Sequence, residues 1–434
     1  MVTDANWPEV KLESVAEEIT VGYVGPMRDQ YRNAGIPFLR SLNIKPSRIE
    51  RGELKFISPE FHKRIHKSHL RPGDVVIVRT GDPGTAAVIP DSFTDANCAD
   101  LVVVRPSTKL NSHFLAYYIN AVAHHQVSAH IVGAVQQHFN VGSAKQLLLR
   151  LPKRHEQDEI AGTLRQFDRK IESNRRMNRT LEELAAALFR AWFVEFEPVA
   201  AKAAGRAPAH LRAGLAALFP SAFQDSPLGP IPLGWRAGAL SDLVSVNARK
   251  RLRDYPHKEI EYLDISSVSE GTISATSRMA LAVAPSRAQR LVTHGDTIWS
   301  CVRPNRRSFV LIQNPPINMV VSTGFAVLTP TCGSPAFVYT STTADEFTDY
   351  LTAHAEGSAY PAVKPETFEA APIVIPPSII LTEFEKIVRP WLTVASHNVR
   401  ESRTLAALRD ALLPKLLSGE VRVRGDAGRR EGET

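Results

Sequence analysis

EQDEIAGTLRQFDRKIESNRRMNRTLEELAAALFRAWF (156–193) carries one apolar stripe through a highly charged background. Ile160, Leu164, Phe167, Ile171, Leu181, Leu184 and Leu188 recur mostly at spacings of three and four. Such a narrow seam belongs to a helix that packs on another helix. A second tract, ILTEFEKIVRPWLTVASHNVRESRTLAALRDALLPKLL (380–417), repeats it with Phe384, Val388, Trp391, Ala395, Leu405, Leu408 and Leu412. Asn174 and Asn398 interrupt the two stripes at matching places. A polar residue there costs stability but can set register and partner. Pro390 lies inside the second pattern, so a kink or a fresh helical start is expected. Each tract, at about 1.5 Å per residue, makes a helix of about 57 Å. Neither helix can hide its stripe alone, so the two are expected to pair antiparallel.

The match extends over the whole chain. Leu39 and Leu263, Arg79 and Arg303, Gly133 and Gly357, Pro152 and Pro376, Asn174 and Asn398, and Leu188 and Leu412 are each 224 residues apart. Asp74 and Asp296 differ by 222, and Trp7 and Trp235 by 228, so small gaps align the halves. Solenoid repeats have periods of about 20–50 residues; this is a duplication of whole domains.

Within the first half, Leu12 to Ile19 is a short amphipathic stretch. IPFLRSLNI (36–44), DVVIVRTG (74–81), TAAVIP (85–90) and DLVVVRP (100–106) then read as strands between turn residues. A helix is expected from Asn111 to about His124. The second half offers IEYLDIS (260–266), DTIWSCVR (296–303), SFVLIQ (308–313) and VVSTGFAVLTP (320–330), then a helix from Ala336 to His354. The expected fold class is α+β: two similar mixed α/β modules, separated by two long antiparallel coiled-coil helices, in a pseudo-twofold internal duplication. The boundaries are 1–152 and 235–377 for the modules, and 153–197 and 378–418 for the helices. A Pro/Gly/Ala-rich linker, with a short helix near Leu211 to Leu218, fills 198–234, and a polar tail runs from 419 to 434.

A chain of 434 residues with 44% hydrophobic content suits two or three soluble domains. Cys98, Cys301 and Cys332 make no metal or disulfide spacing. There is no secretory h-region and no apolar run of about 18 residues, so a cytoplasmic protein is expected. Net charge is +7. From Arg28 to Arg71 there are eleven Lys/Arg against four Asp/Glu, and from Arg249 to Arg307 eleven against six. Positive charge clustered in the front of both halves points to phosphate backbones.

NPPI (314–317) approaches the Asn/Asp-Pro-Pro-aromatic motif with which amino-methyltransferases hold a flipped base. Ile317 replaces the ring, and no glycine-rich strand-to-helix turn for a nucleoside cofactor accompanies it. A turn between strands is the better reading. HKRIHKSH (62–69) holds three imidazoles among Lys63, Arg64 and Lys67, which suits a phosphate-facing turn better than a cation, so no metal site is expected. No P-loop, catalytic triad or carboxylate cluster stands out, and no catalytic residue is assigned. Base reading needs Arg, Lys, Asn or Gln held on rigid elements or tight loops. Candidates in the first half are Arg28, Arg32, Arg40, Asn43, Arg79, Gln136, Gln137 and His138, with the loop TGDPG (80–84). In the second half they are Arg249, Lys250, Arg251, Asp264, Arg303, Asn305, Arg306, Arg307 and Tyr360, with GSAYP (357–361).

LPKRHEQDEIAGTLRQFDRKIESNRRMNRTLEELAAALFRAWFVEFEPV (151–199) resembles the central conserved region of the specificity subunits of type I restriction–modification systems. LFPSAFQDSPLGPIPLGWRAGAL (218–240) is similar to that family's entry into its second recognition domain, and GPMRDQYRNAGIPFLRSLNI (25–44) to one of its recognition-domain types. PPSIILTEFEKIV (376–388) lacks the usual Glu-Gln start. The resemblance implies two target-recognition domains, each reading half of a bipartite, asymmetric duplex DNA site. It implies spacer helices that set the half-site separation and dock two methyltransferase subunits, which two motor-nuclease subunits join. Seam and docking positions would be Leu164, Phe167, Ile171, Asn174, Leu181, Leu188, Val388, Trp391, Asn398, Leu405 and Leu412. The chain itself would be non-catalytic and hold no cofactor, with S-adenosylmethionine, ATP and Mg2+ on the partners. An adenine methyltransferase acting through NPPI and a protein-only coiled-coil adaptor are the alternatives.

Overall fold

The computed structural model describes residues 7–122, 139–251 and 255–423. The chain divides into two units: Met1–Glu172 with Ser402–Thr434, and Ser173–Glu401. Each unit holds one stretch of each long helix, Arg154–Phe193 and Ser378–Ser418.

In the first unit a four-stranded antiparallel sheet runs Ala86–Val88, Val75–Val78, Leu101–Pro106, Ala16–Val21. Its apolar runs do not alternate with polar residues because both faces are covered. Val75, Ile77, Val102 and Val104 pack with Phe114 and Leu115 of the helix Ser112–Ala121. Val76, Val78, Leu101 and Val103 pack on the other face with Leu39, Leu70 and Cys98. Those last three belong to a five-stranded sheet in which Ile36–Leu39 pairs parallel with Ala96–Cys98.

The second unit repeats this plan. Its first sheet runs Phe309–Leu311, Thr297–Ser300, Phe325–Pro330, Val244–Val246, in the same order as the equivalent strands of the first unit. In its second sheet, Glu259–Leu263 pairs parallel with Met319–Ser322. The single strand expected over 320–330 is therefore two strands in two sheets. The chain changes sheet at Gly324, where a Cβ would lie 2.0 Å from Ile265 Cδ1. Local detail goes beyond the sequence pattern at two further places. Leu12 to Ile19 forms a 3-10 turn, Leu12–Ser14, and then enters a strand. The helix expected from Ala336 to His354 breaks at Ala344 into Pro335–Thr343 and Asp345–Ala353, because Ala344 is extended (ψ 155°).

The long helices pair antiparallel within each unit. In the first unit Ile160 and Leu164 share a core with Leu416 and Leu417, while the Asp168 carboxylate accepts from both Tyr117 and Arg409. In the second unit Phe189, Trp192 and Phe193 pack with Phe384, Val388 and Leu392. Asn174 and Asn398, buried at 2% and 5% exposure, meet there: Asn174 Nδ2 donates to Asn398 O at 3.4 Å and to Glu401 Oε2 at 2.7 Å. Asn398 Nδ2 donates to Asn178 Oδ1 (2.8 Å), and Asn178 Nδ2 to Ala395 O (2.9 Å). The interruptions are thus a hydrogen-bonded polar layer. Leu164, Ile171 and Val388 are buried, while Phe167, Leu181, Leu188, Trp391, Leu405 and Leu412 are half-buried. Leu184 and Leu408, at equivalent positions, are instead 48% and 49% exposed. Pro390 neither ends nor restarts its helix, which runs through it.

Gln157, fully buried, ties the first long helix to the short helix beside it. It accepts from Asn111 N at 2.8 Å and donates to the Lys109 and Pro152 carbonyls, both at 3.0 Å. Leu381 stands at the matching place in the second repeat, but Glu385, one turn further on, accepts from Ser334 Oγ (2.9 Å) and Ala336 N (2.8 Å) at the start of Pro335–Thr343. The missing Glu-Gln start is replaced by a carboxylate on a helix N-terminus, where negative charge is favoured.

The stretch expected as a linker is folded. It holds helices Glu197–Ala203 and Ala213–Ala216 and pairs Phe223–Gln224 with Ile231–Pro232. Val199, Phe219 and Ile231 are buried in the second unit's core, with the Phe219 ring 5.1 Å from Trp192. Too many of its apolar side chains find partners for it to stay extended. The tail from Arg424 lies outside the described residues.

Candidate nucleic-acid interface

The best-defined basic platform is in the second unit. After the strand Thr297–Ser300, Arg303 and Arg307 both adopt left-handed backbone (φ +52° and +54°) around the 3-10 turn Pro304–Arg306. Such backbone costs about 1–3 kcal/mol per residue and persists only when its surroundings over-determine it. Arg307 supplies that constraint. Its guanidinium donates to Glu270 and Asp345 (both 2.7 Å), Thr343 O (2.8 Å) and Thr348 Oγ1 (3.1 Å). It is therefore a brace and not a reader, which corrects its place among the candidates. Arg303 N donates to Pro361 O at 2.7 Å, and its Nη2 to Ala359 O at 3.2 Å. Its guanidinium carbon lies 4.7 Å from the Tyr360 ring centroid. Tyr360 is 71% exposed, and Asn305 and Arg306 are exposed on the turn. Gly357, at φ +93°, turns the GSAYP loop toward this contact.

Other candidates in this unit are held internally. One nitrogen of Arg249 pairs with buried Asp296 (2.7 Å) and lies within hydrogen-bond distance of Thr293 Oγ1 (2.7 Å) and Thr329 Oγ1 (3.2 Å), which share its two N–H groups. Arg251 Nε donates to Ala288 O at 3.0 Å. Asp264 caps a 3-10 turn and pairs with Arg287 at 2.9 Å. Lys250 is exposed.

In the first unit, Asn43 is corrected from reader to strut. It is 1% exposed; its Oδ1 accepts from Arg40 N (3.0 Å) and its Nδ2 donates to Glu50 O (3.1 Å), so no amide edge is left for a base. Arg79, the counterpart of Arg303, is paired with Asp100 and donates to Phe139 O at 3.1 Å. Arg40 donates to Glu53 O at 2.7 Å. Arg28 and Arg32 are exposed, Arg32 donating to Asp29 O (2.9 Å) and Tyr31 O (2.8 Å). Gly81 and Gly84 give the TGDPG loop its left-handed turns (φ +92° and +95°). Gln136, Gln137 and His138 lie outside the described residues. Arg51, overlooked in the sequence, is exposed and lies 4.5 Å over the Phe93 ring; its partner is too far along the chain to leave a local signal.

The groups that might suggest catalysis do not support it. Asn314 of NPPI takes left-handed backbone (φ +48°), its N–H donates to His294 Nδ1 at 3.2 Å, and Ile317 is 88% exposed with no ring to stack on a base. Burial pushes the Cys301 thiol up to about 11, so it is no thiolate at neutral pH. No helix among the described residues is long and apolar enough to cross a membrane.

The described residues form two α+β units with the same strand order in their first sheets, each with exposed arginines, an arrangement compatible with nucleic-acid binding. Residues 5–183 match the family model of the type I restriction modification DNA specificity domain. The type I restriction enzyme MjaIX specificity subunit of Methanocaldococcus jannaschii is 22% identical over 429 residues, covering 96% of this chain and 94% of its own. The HindI specificity subunit of Haemophilus influenzae is 25% identical over 324 residues, 64% of this chain and 70% of its own. The fold is also that of the S subunit of a type I restriction–modification system from M. genitalium, with a TM-score of 0.58, 14% identity, and 96% and 98% of the two chains covered. Residues 5–183 thus match a type I restriction modification DNA specificity domain, and nearly the whole chain is similar to specificity subunits of type I restriction–modification systems.

Proposed function

We propose that this chain reads a bipartite, asymmetric duplex DNA site, one half through each unit, and that its paired long helices set the spacing and dock two methyltransferase subunits. Two motor-nuclease subunits join that core, and the complex discriminates self from non-self DNA in the cytoplasm as a phage defence. S-adenosylmethionine, ATP and Mg2+ act on the partners, and this chain holds none of them.

The observation that carries this reading is the duplication of strand order: two similar folds on one chain suit two similar targets. The basic turn of Arg303, Asn305, Arg306 and Tyr360, with exposed Lys250, offers contacts for one half-site. Exposed Arg28, Arg32 and Arg51 offer contacts for the other. Leu184, Leu408 and Met177, each 48–49% exposed, leave apolar surface on the long helices for subunit docking.

The test combines the chain with its methyltransferase partner. Methylome sequencing should return one bipartite motif, and filter binding to that duplex should weaken steeply with salt. Matched heptads inserted after Asn174 and Asn398 lengthen each helix by about 10.5 Å, or about three base pairs at roughly 3.4 Å each. The half-site spacing should change or methylation should be lost. Full methylation at the original spacing, or affinity insensitive to salt, would reject the reading.

A further inference from the structure

In HKRIHKSH (62–69) the fold separates residues that the sequence runs together. His62 lies in the helix Pro59–Arg64 and His69 in the strand His69–Leu70, and their rings meet edge to face with centroids 4.6 Å apart. His66, on the 3-10 turn between them, is exposed. Asp95 arrives from the loop before Ala96–Cys98, with its Oδ1 3.4 Å from His69 Nε2. One ligand atom each from His62, His69 and Asp95 falls within 4.8 Å of the other two. His69 Nε2 is buried and makes no hydrogen bond among the described residues.

The neighbouring cations are either engaged elsewhere or exposed to solvent. Arg64 stacks 4.8 Å from the Phe61 ring centroid and reaches Gln30 Oε1 at 3.5 Å. Arg105 donates to the His69 carbonyl at 2.9 Å, but its charge is paired with Glu18 and with Asp74 (3.6 Å). Lys63 and Lys67 are exposed, where water and salt screen them.

We propose that His62, His69 and Asp95 bind a divalent transition-metal ion of Zn2+ type. Two imidazoles and a carboxylate are hard-to-borderline donors of the kind Zn2+ takes, with bonds of about 2.0–2.2 Å. Tetrahedral ligands at that radius stand about 3.3 Å apart, so the widest separation needs to close by up to about 1.5 Å. Asp95 and His69 already stand at that separation (3.4 Å), so the His62 ring must turn toward them, with Asp95, 63% exposed, free to follow. Asn97 lies behind His62, with its Nδ2 3.3 Å from His62 Nδ1 and 3.3 Å from Ile65 O, and its Oδ1 accepting from Cys98 N at 2.9 Å. The contact to His62 is long, and Asn97 keeps its backbone partners if that ring turns toward an ion. The ion would clip the helix Pro59–Arg64, the strand His69–Leu70 and the loop at Asp95 together inside the basic half of the first unit.

The experiment uses the untagged full chain, stripped with a chelator and titrated with Co2+. A stoichiometric rise in visible d–d absorption, reversed by Zn2+, is expected, and Zn2+ should raise the thermal midpoint. His69→Ala and Asp95→Asn should weaken binding by more than about tenfold, the lower end of the loss seen even for groups one step removed from a metal. His66→Ala should leave it unchanged. Asp95→Asn alters an exposed side chain and keeps the test valid if His69→Ala fails to fold. No stoichiometric binding, binding that Asp95→Asn leaves intact, or binding that His66→Ala removes equally would overturn the site. None of these readouts depends on DNA recognition.

Discussion

Replacing Arg303 by Ala separates base reading from phosphate contact. The arginine is held at three points: its left-handed backbone, its N–H on Pro361 O at 2.7 Å, and its guanidinium on Tyr360 with one bond to Ala359 O at 3.2 Å. A guanidinium has five N–H donors in a fixed fork, and one is accounted for here. If the rest read a guanine, their loss costs about 1–3 kcal/mol against the wrong base, or roughly 5- to 150-fold at one position of one half-site. If they meet a phosphate, the loss is spread over all sequences and the salt slope falls by about one. The constrained fork favours base reading, because preorganisation lowers the entropy lost per hydrogen bond. Tyr360→Ala should cost about 0.5–1 kcal/mol, the range for an exposed cation–π contact, while Tyr360→Phe should cost little. Arg303→Lys should keep affinity and lose discrimination. The assay is binding of the chain with its methyltransferase partner to duplexes varied one base at a time, at two salt concentrations. A uniform loss with a shallower salt slope would refute base reading, and no loss at all would remove this turn from the interface.

Asn43→Ala should lower stability by about 1 kcal/mol, since it strips partners from the partly buried Arg40 N–H and Glu50 carbonyl; thermal unfolding measures this, and the base preference of the folded complex should stay unchanged. Asn398→Ala should destabilise by a similar amount by leaving Asn178 Oδ1 without its donor at 2.8 Å. The double replacement of Asn178 and Asn398 by Leu should recover much of that loss, and a double variant as unstable as the single one would contradict the account. His113 gives a pH prediction. Burial, then Arg165 and Arg169, push its pKa down from 6.5 to about 4. The unfolded chain therefore takes up a proton that the folded chain refuses, so this contribution to stability is whole above pH 6.5 and falls as pH drops toward 4. His113→Gln should flatten that part of the urea-midpoint profile, and an unchanged slope would count against it.

Much of the architecture could be read in advance because it is written in local spacing. The three-and-four stripe of 156–193 needed nothing beyond itself to announce a packing helix, observed as Arg154–Phe193. Short β-branched runs such as 74–81 and 100–106 became strands for the same reason. Misreadings arose where a distant contact overrode the local pattern. At Gly324 the nearby Ile265 leaves no room for a side chain and the chain changes sheet. Pro390 sits in an unbroken helix whose neighbours Val388 and Leu392 are buried in the second unit's core. The 198–234 stretch looked like a linker until Val199, Phe219 and Ile231 met that core.

Duplication, paired helices and a basic front to each half are one-dimensional facts, carried by the order and spacing of residues. Which arginines remain available to a ligand is not such a fact. Arg79 and Arg303 hold equivalent places, yet Arg79 meets Asp100 and the Phe139 carbonyl while Arg303 lies on exposed Tyr360. Arg307 is fixed by Glu270 and Asp345, and His69 finds Asp95, each across a long stretch of chain. A side chain's role depends on the acceptors within about 3 Å of it, and only the folded chain brings those remote acceptors within reach.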